Sequence, residues 1–193
     1  MMTPEGQREI ILQTSRLYLR PIRQEDTLLL FELDSDPEVM RFISKGQATT
    51  RERMEKEIMP KVLGYYRDWP PLGFWAAHLL STDEFIGWFH LRPDKIDGEE
   101  MELGYRLTRK AWGKGLATEG SRAIVERALG EWDYGKVSAR TLAVNAASRR
   151  VMEKSGLRFE KEFYWSAEVL PDWSEEERRA VKYGAVRERV GLK

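Results

Sequence analysis

The sequence contains no cysteine. That excludes disulfide staples, thiolate metal sites and a cysteine nucleophile within this chain. Histidine is almost missing as well, with His78 and His90 the whole supply, so the expectation is no metal centre. Any chemistry falls to carboxylates, hydroxyls and backbone groups. No apolar run approaches the roughly 20 residues a membrane span needs. The start, MMTPEGQREI, lacks a basic region followed by a long apolar stretch. A cytoplasmic protein without a leader or a membrane partner is therefore expected. Excess charge is absent too: 32 Lys and Arg face 32 Asp and Glu, which argues against stable nucleic-acid binding.

What is present is a globular composition, 41% hydrophobic and 33% charged over 193 residues, which suits a single domain spanning 1–193. Residues 15–22 alternate Leu17 and Leu19 with polar neighbours and reach Pro21, predicting a first strand. Residues 24–34 carry a run of leucines in good helix formers, and Asp36-Pro37 then breaks or restarts the chain. Thr49 or Thr50 caps a second helix bearing Met54, Ile58, Val62 and Tyr65 at helical spacing, which ends before Trp69-Pro70-Pro71. GFWAAHLL and EFIGWFHL, parted by Ser81-Thr82-Asp83, read as an antiparallel hairpin. A strand over residues 101–107, a helix over 113–129 stopped by Gly130, a strand over 136–144, a short helix over 146–154 and two strands over 157–169 and 180–190 complete the order. Such an order implies a mixed α/β, or α+β, layer structure with helices covering one sheet.

The most informative stretch is ELGYRLTRKAWGKGLATEG, residues 102–120. A strand ends at Gly113-Lys114-Gly115 and an apolar-periodic helix begins at once. Free amides of a first helical turn, the positive end of its dipole and side-chain-free glycines together receive anions, and Lys114 adds a counter-charge. The spacing is neither a phosphate loop of the G-x-x-x-x-G-K-[ST] type nor a G-x-G-x-x-G fingerprint. A purely structural glycine-rich helix start is the competing reading.

Further motifs extend the pattern: T-S-R-L-Y-L-R-P at 14–21, W-G-K-G-L-A-T-E at 112–119, N-x-x-S at 145–148 and E-K-S-G-L-R-F-E at 153–160. Taken in this order they resemble the GNAT superfamily of N-acetyltransferases, in particular its RimJ/RimL-like branch, over residues 14–165. The resemblance implies a central, mostly antiparallel twisted sheet of about seven strands, splayed in a V between strands 4 and 5 and flanked by about four helices. It also implies transfer of an acetyl group from acetyl-CoA to an amine acceptor, with no metal and no covalent enzyme intermediate. The family's Q/R-x-x-G-x-G/A motif falls on Trp112, Gly115 and Ala117, with Trp112 departing from the usual residue. By that match Gly113, Lys114, Gly115, Leu116, Ala117 and Thr118 hold the CoA pyrophosphate. The strand of Tyr105 and Leu107 pairs with the pantetheine arm, its amides polarising the thioester carbonyl. Asn145 lies by the pantetheine and Ser148 by the sulfur.

Ser148 is a candidate acid for the leaving thiolate, although a serine at a helix start is also an ordinary cap. A base must take a proton from the attacking ammonium, and Glu102 and Glu160 are both candidates, because partial burial raises a carboxyl into the useful range. Glu160 sits in a charge-rich run where a solvated glutamate is the plain expectation. His78 and His90, among Phe and Trp on hairpin strands, read as packing residues. Tyr183 resembles a tyrosine of the branch and fits a core position. Tyr65, Tyr66, Trp69, Phe74 and Trp75 suit either a core or a substrate mouth. An inactive CoA-holding sensor is the alternative to an enzyme, and open sheet edges permit a homodimer.

Overall fold

The computed structural model describes residues 9–187. Its elements are β1 (Leu12–Gln13), β2 (Leu17–Pro21), α1 (Thr27–Ser35), α2 (Pro37–Ser44), α3 (residues 51–68), β3 (Gly73–Leu79), β4 (Phe85–Pro93) and β5 (Met101–Leu107), then α4 (Leu116–Leu129), β6 (Lys136–Leu142), α5 (Ala146–Lys154), β7 (Arg158–Tyr164) and β8 (Arg179–Val186). The strands hydrogen-bond in the order β1-β2-β3-β4-β5-β6-β8-β7. The β1/β2, β2/β3, β6/β8 and β7/β8 pairs are antiparallel, and β5/β6 is parallel.

Among the described residues eight strands stand where about seven were expected, because Leu12–Gln13 forms a short ladder on β2. Two residues carry no readable period. Among the described residues five helices stand where about four were expected, because Asp36-Pro37 restarts the chain: the Asp36 carboxylate accepts from the Glu38 amide at 3.0 Å. Pro37 occupies a first-turn position that needs no N–H partner. The predicted last strand ran to Val190, and its residues 188–190 lie outside the described residues, as do residues 1–8 of the start.

The chain divides into two compact units. The first comprises residues 9–90 and 106–116. Its core gathers Ile22, Leu30, Met54, Met59, Val62 and Ala76, with Phe31, Tyr66, Phe74 and Trp88 packed against them. The helix of residues 51–68 starts as expected at Thr50, whose hydroxyl accepts from the Arg53 amide at 3.2 Å. It widens into a π turn over Met54–Ile58. Pro60 accounts for this, since its ring lacks an N–H and crowds the carbonyl four residues back. Asp26 fixes the step from β2 to α1, taking two 2.7 Å bonds from Arg20 and one of 2.8 Å from the Arg23 amide. Burial opposes its charge, but these donors outweigh burial and hold the carboxyl below the usual range. Gly87 marks where β4 meets β5, for a Cβ there would stand 2.7 Å from the Leu107 Cα. Both histidines are buried; His78 stacks on Tyr18 and His90 on Trp88.

The second unit comprises residues 91–105 and 117–187. On α4 the buried residues Ser121, Ile124, Val125 and Ala128 recur at helical spacing, the stripe that makes this helix amphipathic. Tyr183 is core, as expected, with its hydroxyl donating to Glu153 at 3.0 Å. An ionic cluster ties the loop after β4 to the sheet. Asp94 accepts from the Ile96 and Asp97 amides at 2.8 and 3.2 Å, from Ser138 at 3.2 Å and from Arg140. Arg140 and Lys182 are direct cross-strand partners, a like-charge pairing that would repel. Asp97 resolves it, lying 2.7 Å from Arg140 and 2.6 Å from Lys182. Glu100 then joins Lys182 to Lys136, at 2.7 Å from each.

Lys182 is only 3% exposed, and removing its ammonium takes one counter-charge from the part-buried Asp97 and Glu100. Lys182→Ala is expected to cost about 3 kcal/mol in denaturant unfolding at neutral pH. The Lys182 hydrogen bond holds Asp97 below its ordinary value; Glu100 is also held low, against its burial, by Lys136 and Lys182. Their contribution is present above about pH 4 and lost as pH falls through the lowered values. Unfolding measured at pH 7 and at pH 3 should therefore show a smaller acid loss in the variant than in the unaltered protein.

Candidate active site

The glycine loop lies in the first unit and is anchored there from several sides. Arg106 pairs with Asp34, and Arg109 with Asp36 at 2.6 Å. The Trp112 indole donates to the Leu107 carbonyl at 2.9 Å, so the residue that departs from the family motif serves as a strut under the loop. Gly113 and Gly115 have φ of +71° and +77°, values that side-chain-bearing residues rarely adopt. A Cβ on Gly113 would meet nothing within 4 Å. The loop surface is thus open and bare where α4 begins, and Leu116 is buried as its anchor while Trp112 to Gly115 are exposed. Along the chain, α4 continues through Ala117 and Thr118. Exposed amides at the head of a 14-residue helix, with no side chain in the way, fit phosphate oxygens.

The second unit contains the fork. Among the described residues two pairs join β5 to β6, Met101 with Val137 and Glu102 with Ser138. From Leu103 onward this edge of β5 has no ladder on β6, which leaves it suited to main-chain pairing with an extended amide-bearing arm. Side chains alternate along a strand, so Glu102 and Tyr105 leave β5 on opposite faces. On one face the Tyr105 phenol and the Ser148 hydroxyl share a hydrogen bond; burial pushes the phenol's pKa up and keeps it protonated. Asn145 caps α5, accepting from the Ser148 amide at 3.1 Å. The cap is therefore Asn145, and the Ser148 hydroxyl turns toward Tyr105.

On the other face Glu102 forms an ion pair with Arg92 at 2.5 Å. Burial raises its carboxyl above the ordinary value, with Arg92 opposing and Asp94 reinforcing the shift. Glu160 has a different setting. It occupies a bulge of β7 between Phe159 and Lys161 and binds Lys136 at 2.7 Å and Lys182 at 3.5 Å. The structure thus joins Ser148 to Tyr105, puts Glu102 where the ladder ends and folds Glu160 into the ionic cluster. Sequence reasoning missed Arg92, Arg106, Asp34 and the Tyr105 phenol as parts of the site. Alternation alone could have shown Tyr105 and Glu102 facing opposite ways, but no local pattern announces a charge partner on another strand.

Comparison with known proteins follows the same lines. Residues 16–158 match the acetyltransferase (GNAT) domain family. The FsC-acetyl coenzyme A-N(2)-transacetylase of Aspergillus fumigatus is 31% identical over 184 residues, covering 92% of this chain and 76% of that protein. Among solved structures, a GNAT-family acetyltransferase from Bacillus anthracis superposes with a TM-score of 0.76 at 24% identity, covering 92% of this chain and 98% of the other. RimL, a ribosomal alpha-N-protein acetyltransferase solved in complex with coenzyme A, gives 0.73 at 17% identity, with coverage of 92% and 98%. The likeness to RimL is one of fold. The chain belongs to the GNAT family of acetyltransferases, which makes it an acyltransferase of the N-acetyl-transferring class.

Proposed function

We propose that this enzyme moves the acetyl group of acetyl-CoA directly onto a primary amine, a protein N-terminus or a small-molecule amine, within a ternary complex. The carrying observation is the two-pair ladder between β5 and β6, with Ser148 and Tyr105 on one face of β5 and Glu102 on the other. Acetyl-CoA supplies the activated acyl group as a thioester. Amides over residues 113–118 hold its pyrophosphate, and the unladdered edge of β5 at Tyr105 and Leu107 receives the pantetheine arm. Main-chain N–H groups there meet the negative charge that grows on the thioester oxygen. Asn145 sets the start of α5 and thereby the position of Ser148.

The two faces divide the proton traffic. Glu102 takes the proton of the incoming ammonium, a role favoured by its raised pKa, whereas the lysine pair around Glu160 supports a structural role for that residue. Ser148, oriented by Tyr105, donates to the departing thiolate. The coenzyme A in the RimL structure and the printed activity of the Aspergillus relative support the same donor. The even balance of charge, 32 against 32, favours no polyanionic scaffold as the acceptor's carrier.

Calorimetric titration with acetyl-CoA and desulfo-CoA, followed by an amine panel scored for free thiol, tests the reading. Tight binding with thiol release on one amine class supports it; binding without release on any amine or peptide N-terminus would instead indicate a CoA-holding sensor. Gly115→Glu is expected to abolish donor binding, since it adds a side chain at φ +77° and a negative charge where phosphate sits. Glu102→Gln should lower kcat by about 100-fold and remove the limb of the pH-rate profile that rises through the raised carboxyl pKa. Glu160→Gln should leave that limb in place. Ser148→Ala should lower kcat by about tenfold or more with donor affinity kept.

A further inference from the structure

The shape of the glycine loop depends on a residue almost a hundred positions away. Arg16, at the turn into β2, donates through Nη1 to the Lys114 carbonyl at 2.9 Å. Its Nη2 would stand 3.6 Å from a Cβ on Gly115. Arg16 is itself held, because its carbonyl accepts from the Leu80 amide at 2.9 Å and the neighbouring Leu17 amide donates to the Thr14 hydroxyl at 3.1 Å. Its side chain is exposed.

Peptide geometry gives the contact its consequence. In a trans peptide unit the C=O of one residue and the N–H of the next point in opposite directions. Fixing the Lys114 carbonyl toward Arg16 therefore aims the Gly115 N–H away from Arg16, to the outer side of the loop. Lys114 lies between two glycines at φ +71° and +77°, and glycine torsions turn easily. Without an outside anchor the Lys114–Gly115 peptide could rotate and turn its oxygen toward the anion. A guanidinium on the carbonyl prevents that rotation, polarises the peptide and strengthens the opposite N–H as a donor. It also puts a positive charge beside the loop.

We propose that Arg16 is a positioning residue of the donor's phosphate site: by holding the Lys114 carbonyl it orients the Gly115 amide toward the diphosphate of CoA and supplies a fixed positive charge there. This rests on the reading that residues 113–118 receive that diphosphate. The effect is specific to phosphate, so truncated donors separate it from general damage to the fold.

The experiment measures dissociation constants of CoA, 3′-dephospho-CoA and pantetheine, the last by competition, for the unaltered protein, Arg16→Gln and Arg16→Lys. Arg16→Gln is expected to weaken CoA and dephospho-CoA alike by about tenfold, so that the ratio of either constant to that of pantetheine rises by the same factor. Arg16→Lys, which keeps the charge but loses the planar fork, should recover only part of it. An unchanged ratio overturns the proposal, whether because no constant moves or because pantetheine weakens equally. A loss confined to CoA overturns it too, for it would assign Arg16 to the 3′-phosphate. Failure of the unaltered protein to bind CoA at all would instead strike the donor-site reading beneath it.

Discussion

The ionic clamp on the loop after β4 is the constraint from which the active-site geometry follows. Asp94, Asp97 and Glu100 are bound by Arg140, Lys182 and Lys136 on β6 and β8, immediately before β5 begins at Met101. A parallel ladder of two pairs contributes little cohesion by itself. The clamp replaces the missing ladder with charge-assisted bonds from side chains that are almost wholly buried, and so fixes where β5 and β6 touch. Beyond Glu102 the strands owe each other nothing. The unladdered edge of β5 begins where the part held by charge ends.

A clamp of this kind has its own logic. Arg140 and Lys182 face each other across β6 and β8, and Asp97 lies against both. Each cation needs the carboxylates of the loop, and the carboxylates need the cations, so the loop cannot lift without exposing several unpaired charges at once. Glu160 belongs to this arrangement through Lys136 and Lys182. Glu102, two residues after Glu100, pairs with Arg92, but burial outweighs that partner and keeps its pKa raised. Neighbouring carboxylates thus acquire opposite characters, low-pKa anchors on the loop and a raised-pKa base candidate on the strand.

The glycine loop is secured by another means. Arg106 at the end of β5, Arg109 and Trp112 just before the loop, and Arg16 at the turn into β2 brace it, and none of these contacts occupies the bare outer surface at Gly113. Restraint from the side chains behind the loop and a bare outer surface are compatible because glycine supplies the conformation while its neighbours supply the restraint. Positive φ at two glycines gives the turn its shape; the arginines keep it there.

The sequence by itself determined the glycine loop, the strand and helix that flank it, the period of most strands and the set of motifs that mark the family, because all of these rest on local spacing and on residues near one another in the chain. It also placed Ser148 at the head of a helix and Tyr183 in the core. It read Glu102 and Glu160 as equals, passed over β1, whose two residues leave too short a pattern, and left open whether Asp36-Pro37 ended the helix or restarted it. Only the tertiary structure decided that Glu160 meets Lys136 and Lys182, that Ser148 turns to Tyr105 while Asn145 does the capping, and that Arg16 reaches Lys114. Each of those outcomes depends on partners brought together from distant parts of the chain, and a side chain's charge state and direction are set by such partners rather than by its neighbours in sequence.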